Sequence, residues 1–180
     1  PEQARALLDA QGYFNARIST SVRDAKGDEP ILITLHVTPG ERTKVSKVQF
    51  VYEGDLDTRA SDGDARAQAL ITAVDKAWSL PVGEFFTQDG WSGARNAALA
   101  RLRAQGYPMA SWSGTSATVD AAQQTAKLFL VADSGPTFRF GDIRVEGLKR
   151  QPASAVTHLA PFNKGDPYQE KQLLDWQERI

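Results

Sequence analysis

Arg101-Leu102-Arg103-Ala104-Gln105-Gly106-Tyr107 decides the fold, because it occurs twice. Near the start stands Leu7-Leu8-Asp9-Ala10-Gln11-Gly12-Tyr13, and both copies end Ala-Gln-Gly-Tyr. In each, apolar residues at helical spacing run into a glycine, then an aromatic residue, then an alternating segment. A glycine that adopts the left-handed conformation stops a helix, and the chain then enters a strand. A repeated helix-Gly-Tyr-strand junction marks a tandem module, and the rest of the chain is read in that register.

Composition excludes several classes. The net charge of -1 carries no footprint for nucleic acid or an anionic lipid surface. There is no cysteine, which removes disulfides, thiol nucleophiles and thiolate metal sites. No apolar run approaches the roughly 20 residues of a membrane helix, and no signal peptide is present. The chain opens at Pro1 on the edge of one helix and stops at Ile180 inside another, so it reads as an excerpt of a longer protein.

Residues 1–11 read as the end of a helix. Phe14, Ala16, Ile18 and Val22 then alternate with polar residues as in a half-buried strand. A polar turn over 24–30 leads to Ile31-Leu32-Ile33-Thr34-Leu35-His36-Val37, apolar almost throughout and therefore placed at the centre of its sheet. Residues 43–52 form another strand. Residues 53–64 read as an acidic loop that ends in a helix cap, Ser61 with Asp64; the ligand spacing of a calcium loop is absent. The next helix shows one apolar face, Ala67, Leu70, Ile71, Val74, Ala77 and Trp78. A second, starting near Thr87 to Asp89, shows Trp91, Ala94, Ala98, Leu99 and Leu102 on one face. An edge strand over 109–119 and a central strand over 127–132 come next. A strand at 138–145, a short helix around Val156 and Leu159, and a last helix with Leu173, Trp176 and Ile180 begin a new copy.

The repeating module is strand, helix, helix, strand, strand. Residues 43–133 hold a whole one, residues 1–38 the last part of a preceding module, and residues 138–180 the first part of a following one. The expected fold is α+β, a three-stranded mixed sheet with two helices on one face. A module of this length has a limited core. Trp78, Trp91 and Trp112 each contribute about 1.5–3 kcal/mol or more by burial.

In this order the pattern resembles tandem polypeptide-transport-associated (POTRA) domains of the outer-membrane insertase superfamily, and most closely those of TamA-like barrel subunits of the translocation and assembly module. The residues that carry the resemblance are Gly135-Pro136-Thr137-Phe138-Arg139-Phe140-Gly141-Asp142-Ile143, then Val145-Glu146-Gly147, Ala160-Pro161-Phe162 and Gly165-Asp166-Pro167-Tyr168. Gly12-Tyr13-Phe14 and Val37-Thr38-Pro39-Gly40 repeat parts of it. The resemblance implies the end of a first, all of a second and the start of a third POTRA domain. It implies a periplasmic position, attached to the outer membrane through a carboxy-terminal membrane barrel of the same chain. It also implies contact with an inner-membrane-anchored partner subunit and with unfolded outer-membrane protein or autotransporter clients, and no enzymatic activity. The alternatives are the same domains in the general barrel-assembly subunit or a two-partner secretion transporter, a division or envelope scaffold, and, more distantly, a periplasmic enzyme.

No catalytic, cofactor or metal site is read. The two histidines, His36 and His158, lack a paired nucleophile or a second nearby ligand. The carboxylates fall in loops and on polar helix faces, and no phosphate-binding glycine loop occurs. Binding residues are placed instead on two edge strands, Arg17 and Ser19 on one, Ser113 and Thr115 on the other. An edge offers backbone donors and acceptors to an extended peptide. The short joints at Pro39-Gly40 and Gly135-Pro136 are expected to hold the modules in a semi-rigid arm.

Overall fold

The structure, a computed structural model, describes residues 2–23, 31–147, 152 and 154–180. In chain order its elements are α1 (Glu2–Ala10), β1 (Arg17–Arg23), β2 (Leu32–Thr38), β3 (Lys44–Glu53), α2 (Asp55–Ser61), α3 (Ala65–Lys76), α4 (Gln88–Ala104), β4 (Ser111–Asp120), β5 (Thr125–Asp133), α5 (Ser154–Thr157) and α6 (Glu170–Gln177). The turn expected over 24–30 lies outside the described residues.

The fold is α+β, as expected. A three-stranded sheet has the order β3-β5-β4, so the apolar segment 127–132 is central. Lys44 N donates to Gln124 O at one end of the β3-β5 pair, and Ser134 N donates to Glu53 O near the other. Start therefore meets start and end meets end, which makes the pair parallel. β4 and β5 are joined by a short turn in which Asp120 Oδ1 accepts from Ala122 N and Gln123 N at 3.0 Å. Period-two burial fits a half-covered strand: Ala126, Leu128, Leu130 and Ala132 are buried, while Lys127 and Phe129 are exposed.

Four expectations need correction. The stretch 31–37 is not the centre of a sheet among the described residues. β2 pairs antiparallel with β1 alone, from Arg17↔Thr38 to Arg23↔Leu32, and every residue of it is exposed. The acidic stretch 53–64 is not a loop, because Asp55–Ser61 is helical. Two carboxylates, Asp55 and Asp57, sit in its first turn, where they favour a helix end. The cap of α3 is Asp64 rather than Ser61, and its Oδ1 accepts from Arg66 N at 2.8 Å and Ala67 N at 3.2 Å. The segment 138–145 forms no strand: it holds one bridge, Arg139↔Pro167, because Phe138 and Phe140 bond to residues 165–168. On α3 the expected face is partly right. Ala67 and Val74 are buried and Leu70 and Ile71 half-buried, but Ala77 is exposed.

The described chain resolves into two compact units. One comprises Pro1–Gln49, Trp78–Arg95 and Thr115–Phe129; the other comprises Phe50–Ala77, Asn96–Gly114 and Leu130–Ile180. The first buries Val45, Phe86, Ala94, Ala126 and Leu128 as well as Trp78 and Trp91. These two indoles meet edge to face at 6.2 Å, and Trp78 Nε1 donates to Leu80 O at 2.7 Å. Edge-to-face pairs add to area burial, and a buried indole N–H needs such an acceptor. The second unit buries Leu56, Val74, Leu102, Tyr107, Leu130 and Ala132. Among the described residues no helix is long and apolar enough to cross a membrane.

Trp91 is 6% exposed. Trp91→Ala is expected to cost about 3–5 kcal/mol, a large part of a typical domain's stability. Trp112 is half-buried and its Nε1 is buried without a partner, so Trp112→Ala should cost clearly less. Urea unfolding of the two variants in parallel checks the order, and equal midpoints would contradict it.

Candidate binding surfaces at the joints and sheet edges

The first joint grows out of the end of α1. Tyr13 N donates back to Leu8 O at 2.9 Å, and Gly12 takes φ +90° to permit this helix stop. Gly12 O then accepts from Thr43 N at 2.8 Å. Thr43 O accepts from Phe86 N at 2.9 Å, Val45 N donates to Glu84 O at 2.8 Å, and Gly83 N donates to Val45 O at 2.8 Å. A Cβ on Gly12 would lie 2.2 Å from Phe86 O, so the glycine is also required by close approach. The Arg42 guanidinium stands 4.5 Å from the Phe85 ring centre and 5.6 Å from that of Tyr13, while its Nε donates to Gln11 O. Cation–π contacts of this kind are worth about 0.5–1 kcal/mol each at exposed sites.

The second joint repeats this bonding. Tyr107 N returns to Leu102 O, and Gly106 takes φ +107°. Gly106 O accepts from Phe138 N at 2.8 Å, Phe138 O from Tyr168 N at 3.1 Å, Asp166 O from Phe140 N at 2.9 Å, and Phe140 O from Gly165 N at 2.8 Å. The residue pairs correspond one for one with those of the first joint. A polar cluster adds to the second. Ser134, 1% exposed, accepts on Oγ from Leu56 N at 3.0 Å, and Asp55 N donates to Gly135 O. Thr137 Oγ1 bonds Asp55 Oδ2 and accepts from Arg59 NH1, while Arg59 also bonds Asp64. The Arg59 hydrogen bond, supported by the Ala67 and Arg66 amides, holds the Asp64 carboxyl below its usual range. Phe140 continues the joint into the last segment by stacking on Phe162 at 3.8 Å.

The expected joint residues lie here. Gly40 has φ +75° and Gly135 φ +61°, conformations that favour glycine. Pro39 and Pro136 are exposed beside them.

Arg17 and Ser19 are exposed on β1, opposite Thr38 and His36. β4 lies on the outside of its sheet, with β5 as its neighbour. Its two expected side chains are engaged. Ser113 Oγ bonds Glu53 Oε2 at 2.9 Å and lies 3.3 Å from Val131 O, and Thr115 Oγ1 accepts from Arg95 NH1 at 3.2 Å. Beyond β4 no further strand pairs with it among the described residues. On the sheet, Tyr52 donates to Asp75 Oδ1 at 2.7 Å, and burial together with that bond pushes its phenol far above the usual range. Among the described residues, no group of three His, Asp or Glu side chains could hold a metal. His36 lies 3.4 Å from Ser21 Oγ on the ribbon, and His158 is exposed.

A further feature has no local signal in the sequence. A cavity of about 360 Å³ in the second unit is lined by Ala67, Leu70 and Ala73 of α3, by Tyr107, Pro167 and Tyr168, and by Arg59, Arg66 and Arg101. Its lining comes from four separate stretches of chain, which only the fold brings together.

No family model matches the chain. Among solved structures, BamA POTRA3-5 of Haemophilus influenzae matches with a TM-score of 0.53 at 20% identity, over 99% of this chain. The chain spans 65% of the length of that protein. POTRA1-3 of the periplasmic domain of Omp85 from Anabaena matches at 15% identity over 99% of this chain and 68% of that one, with a TM-score of 0.38. At these identities the BamA likeness carries the fold alone: the chain has the α+β architecture of POTRA domains.

Proposed function

We propose that the chain is the periplasmic POTRA segment of a TamA-like outer-membrane assembly factor, a non-catalytic scaffold for inserting or secreting outer-membrane proteins and autotransporters. In this reading residues 1–38, 43–133 and 138–180 are parts of three successive POTRA domains. Its partners are an inner-membrane-anchored subunit, unfolded clients, and the membrane barrel of the same chain. The observation that carries the proposal is the outer position of β4, whose Ser113 and Thr115 side chains are already engaged and whose far edge has no strand beside it among the described residues. Backbone recognition tolerates many client sequences. Each net hydrogen bond contributes about 0.5–1.5 kcal/mol and must offset the cost of association, so client contact is weak and transient.

A second reading, the general barrel-assembly subunit, is favoured by the likeness to BamA POTRA3-5. The two readings differ in the partner that the periplasmic arm meets. In-cell photo-crosslinking from Ser19 and Ser113 in the full-length protein, with exposed helix positions Lys76 and Asp89 as controls, tests them. Adducts from the strands alone, with an inner-membrane-anchored subunit among them, are expected. Adducts from the helix positions alone would move the binding surface off the edges. Adducts only with accessory subunits of the barrel-assembly machinery would favour the second reading.

The joints also support a semi-rigid arm, because the same set of backbone bonds closes both. Gly63 provides the internal control: it has φ +90° but open space around its Cβ. Gly63→Ala should cost about 1–2 kcal/mol from conformation alone. Gly12→Ala adds the clash with Phe86 O. It should speed amide exchange at Thr43 and Phe86, which Gly63→Ala leaves protected. Equal protection in both variants would show that the first joint does not depend on this contact.

A further inference from the structure

The cavity beside the second joint has a chemical character that the edges lack. Its lining is largely apolar and includes Leu70, Ala73, Tyr107 and Tyr168. Three arginines line it, and among the described residues no acidic one does. Arg59 is neutralised by Asp64 and Asp55. Arg66 and Arg101 are exposed and form no ion pair among the described residues.

The internal repeat shows how the two joints differ. At the first joint, Arg42 lies over Phe85 and Tyr13. The corresponding positions at the second joint are Thr137, Pro167 and Tyr107. Thr137 turns to Asp55 and Arg59 instead, and Pro167 offers no ring for a cation. No guanidinium from residue 137 therefore lies over Tyr107, and the lining arginines without an ion pair among the described residues are Arg66 and Arg101.

We propose that this groove binds a short peptide segment in which apolar and acidic side chains alternate. Its apolar groups pack on Leu70, Tyr107 and Tyr168, and its carboxylates meet Arg66 and Arg101. Charge complementarity selects this partner: a basic segment would meet two unpaired cations beside the same apolar lining. The volume falls within the roughly 300–1,000 Å³ typical of ligand sites. The cations are exposed, so binding should be modest and strongly salt-dependent. This site is separate from strand addition at β4 and rests on no particular client.

The test is fluorescence anisotropy of the whole chain with a labelled nonapeptide alternating leucine and aspartate, against its leucine–lysine counterpart. The acidic peptide should bind and the basic one should not. Raising salt from about 0.01 to about 0.15 M, which shortens the screening length from about 30 to about 8 Å, should weaken it several-fold. Arg66→Glu combined with Arg101→Glu should lower affinity by about tenfold or more. Both side chains are exposed, so the fold, checked by circular dichroism, should be unchanged. Ala73→Leu, which narrows the groove without altering charge, should also weaken binding. Equal binding of the basic peptide, or an unchanged affinity in the charge-reversed variant, would overturn the proposal. So would loss of binding confined to a Thr115→Pro edge variant, and that outcome would leave strand addition standing.

Discussion

Both joints depend on one carbonyl. Gly12 O and Gly106 O each accept the amide of the first residue of the following segment, Thr43 in one case and Phe138 in the other. In each case the glycine has a positive φ at the end of a helix, where an L side chain would be strained. Once the bond is made, the next residues pair with a turn further along the chain through three more backbone bonds. The two sites differ in strictness. Phe86 O leaves no room for a Cβ at Gly12, whereas the nearest atom to a Cβ at Gly106 is Tyr168 O at 3.7 Å. Conformation alone imposes glycine at the second joint; at the first, packing imposes it as well.

The strands that lead into the Gly40 and Gly135 turns differ in how they are covered. Counting back from Gly40 and Gly135, Ile31, Ile33, Leu35 and Val37 of the first copy correspond to Ala126, Leu128, Leu130 and Ala132 of the second. The second set is buried, with Leu130 at 0% exposure; the first is open, with Ile33 at 66% and Leu35 at 45%. An apolar row of this kind is stable only against another layer, and β2 has only β1 beside it among the described residues. Apolar character therefore did not locate β2 within a sheet. Strand pairing is a property of neighbours, which a strand's own residues do not encode.

The same distinction separates what was legible in the sequence from what was not. The α4 face could be read because Trp91, Ala94, Ala98 and Leu102 repeat at helical spacing and all are buried. The glycine junction could be read because its signal is local and occurs twice. α2 was missed because Asp55, Asp57 and Asp62 resemble a solvated loop; carboxylates at a helix start look the same in one dimension. The segment 138–145 has strand composition, but its aromatic residues are drawn into the joint and into the Phe140–Phe162 stack. The groove was invisible because α3, the end of α4, Thr137 and residues 167–169 meet only in three dimensions.

A stiff joint and a weak edge are physically compatible demands. An edge strand that binds through its backbone gains little per bond, so its usefulness depends on being held at a fixed place rather than on affinity. In the proposed reading the joints supply that placement from backbone geometry and leave β4 at the edge of its sheet. Side-chain recognition needs converging groups of defined charge, which a flat edge cannot provide. The second joint brings such groups together: where Arg42 lies over Phe85 and Tyr13 at the first, no guanidinium at residue 137 covers Tyr107, and Arg66 and Arg101, without an ion pair among the described residues, line a groove with Leu70 and Ala73. Two exchanges at repeated positions, Arg42 to Thr137 and Phe85 to Pro167, accompany the difference between the two joints.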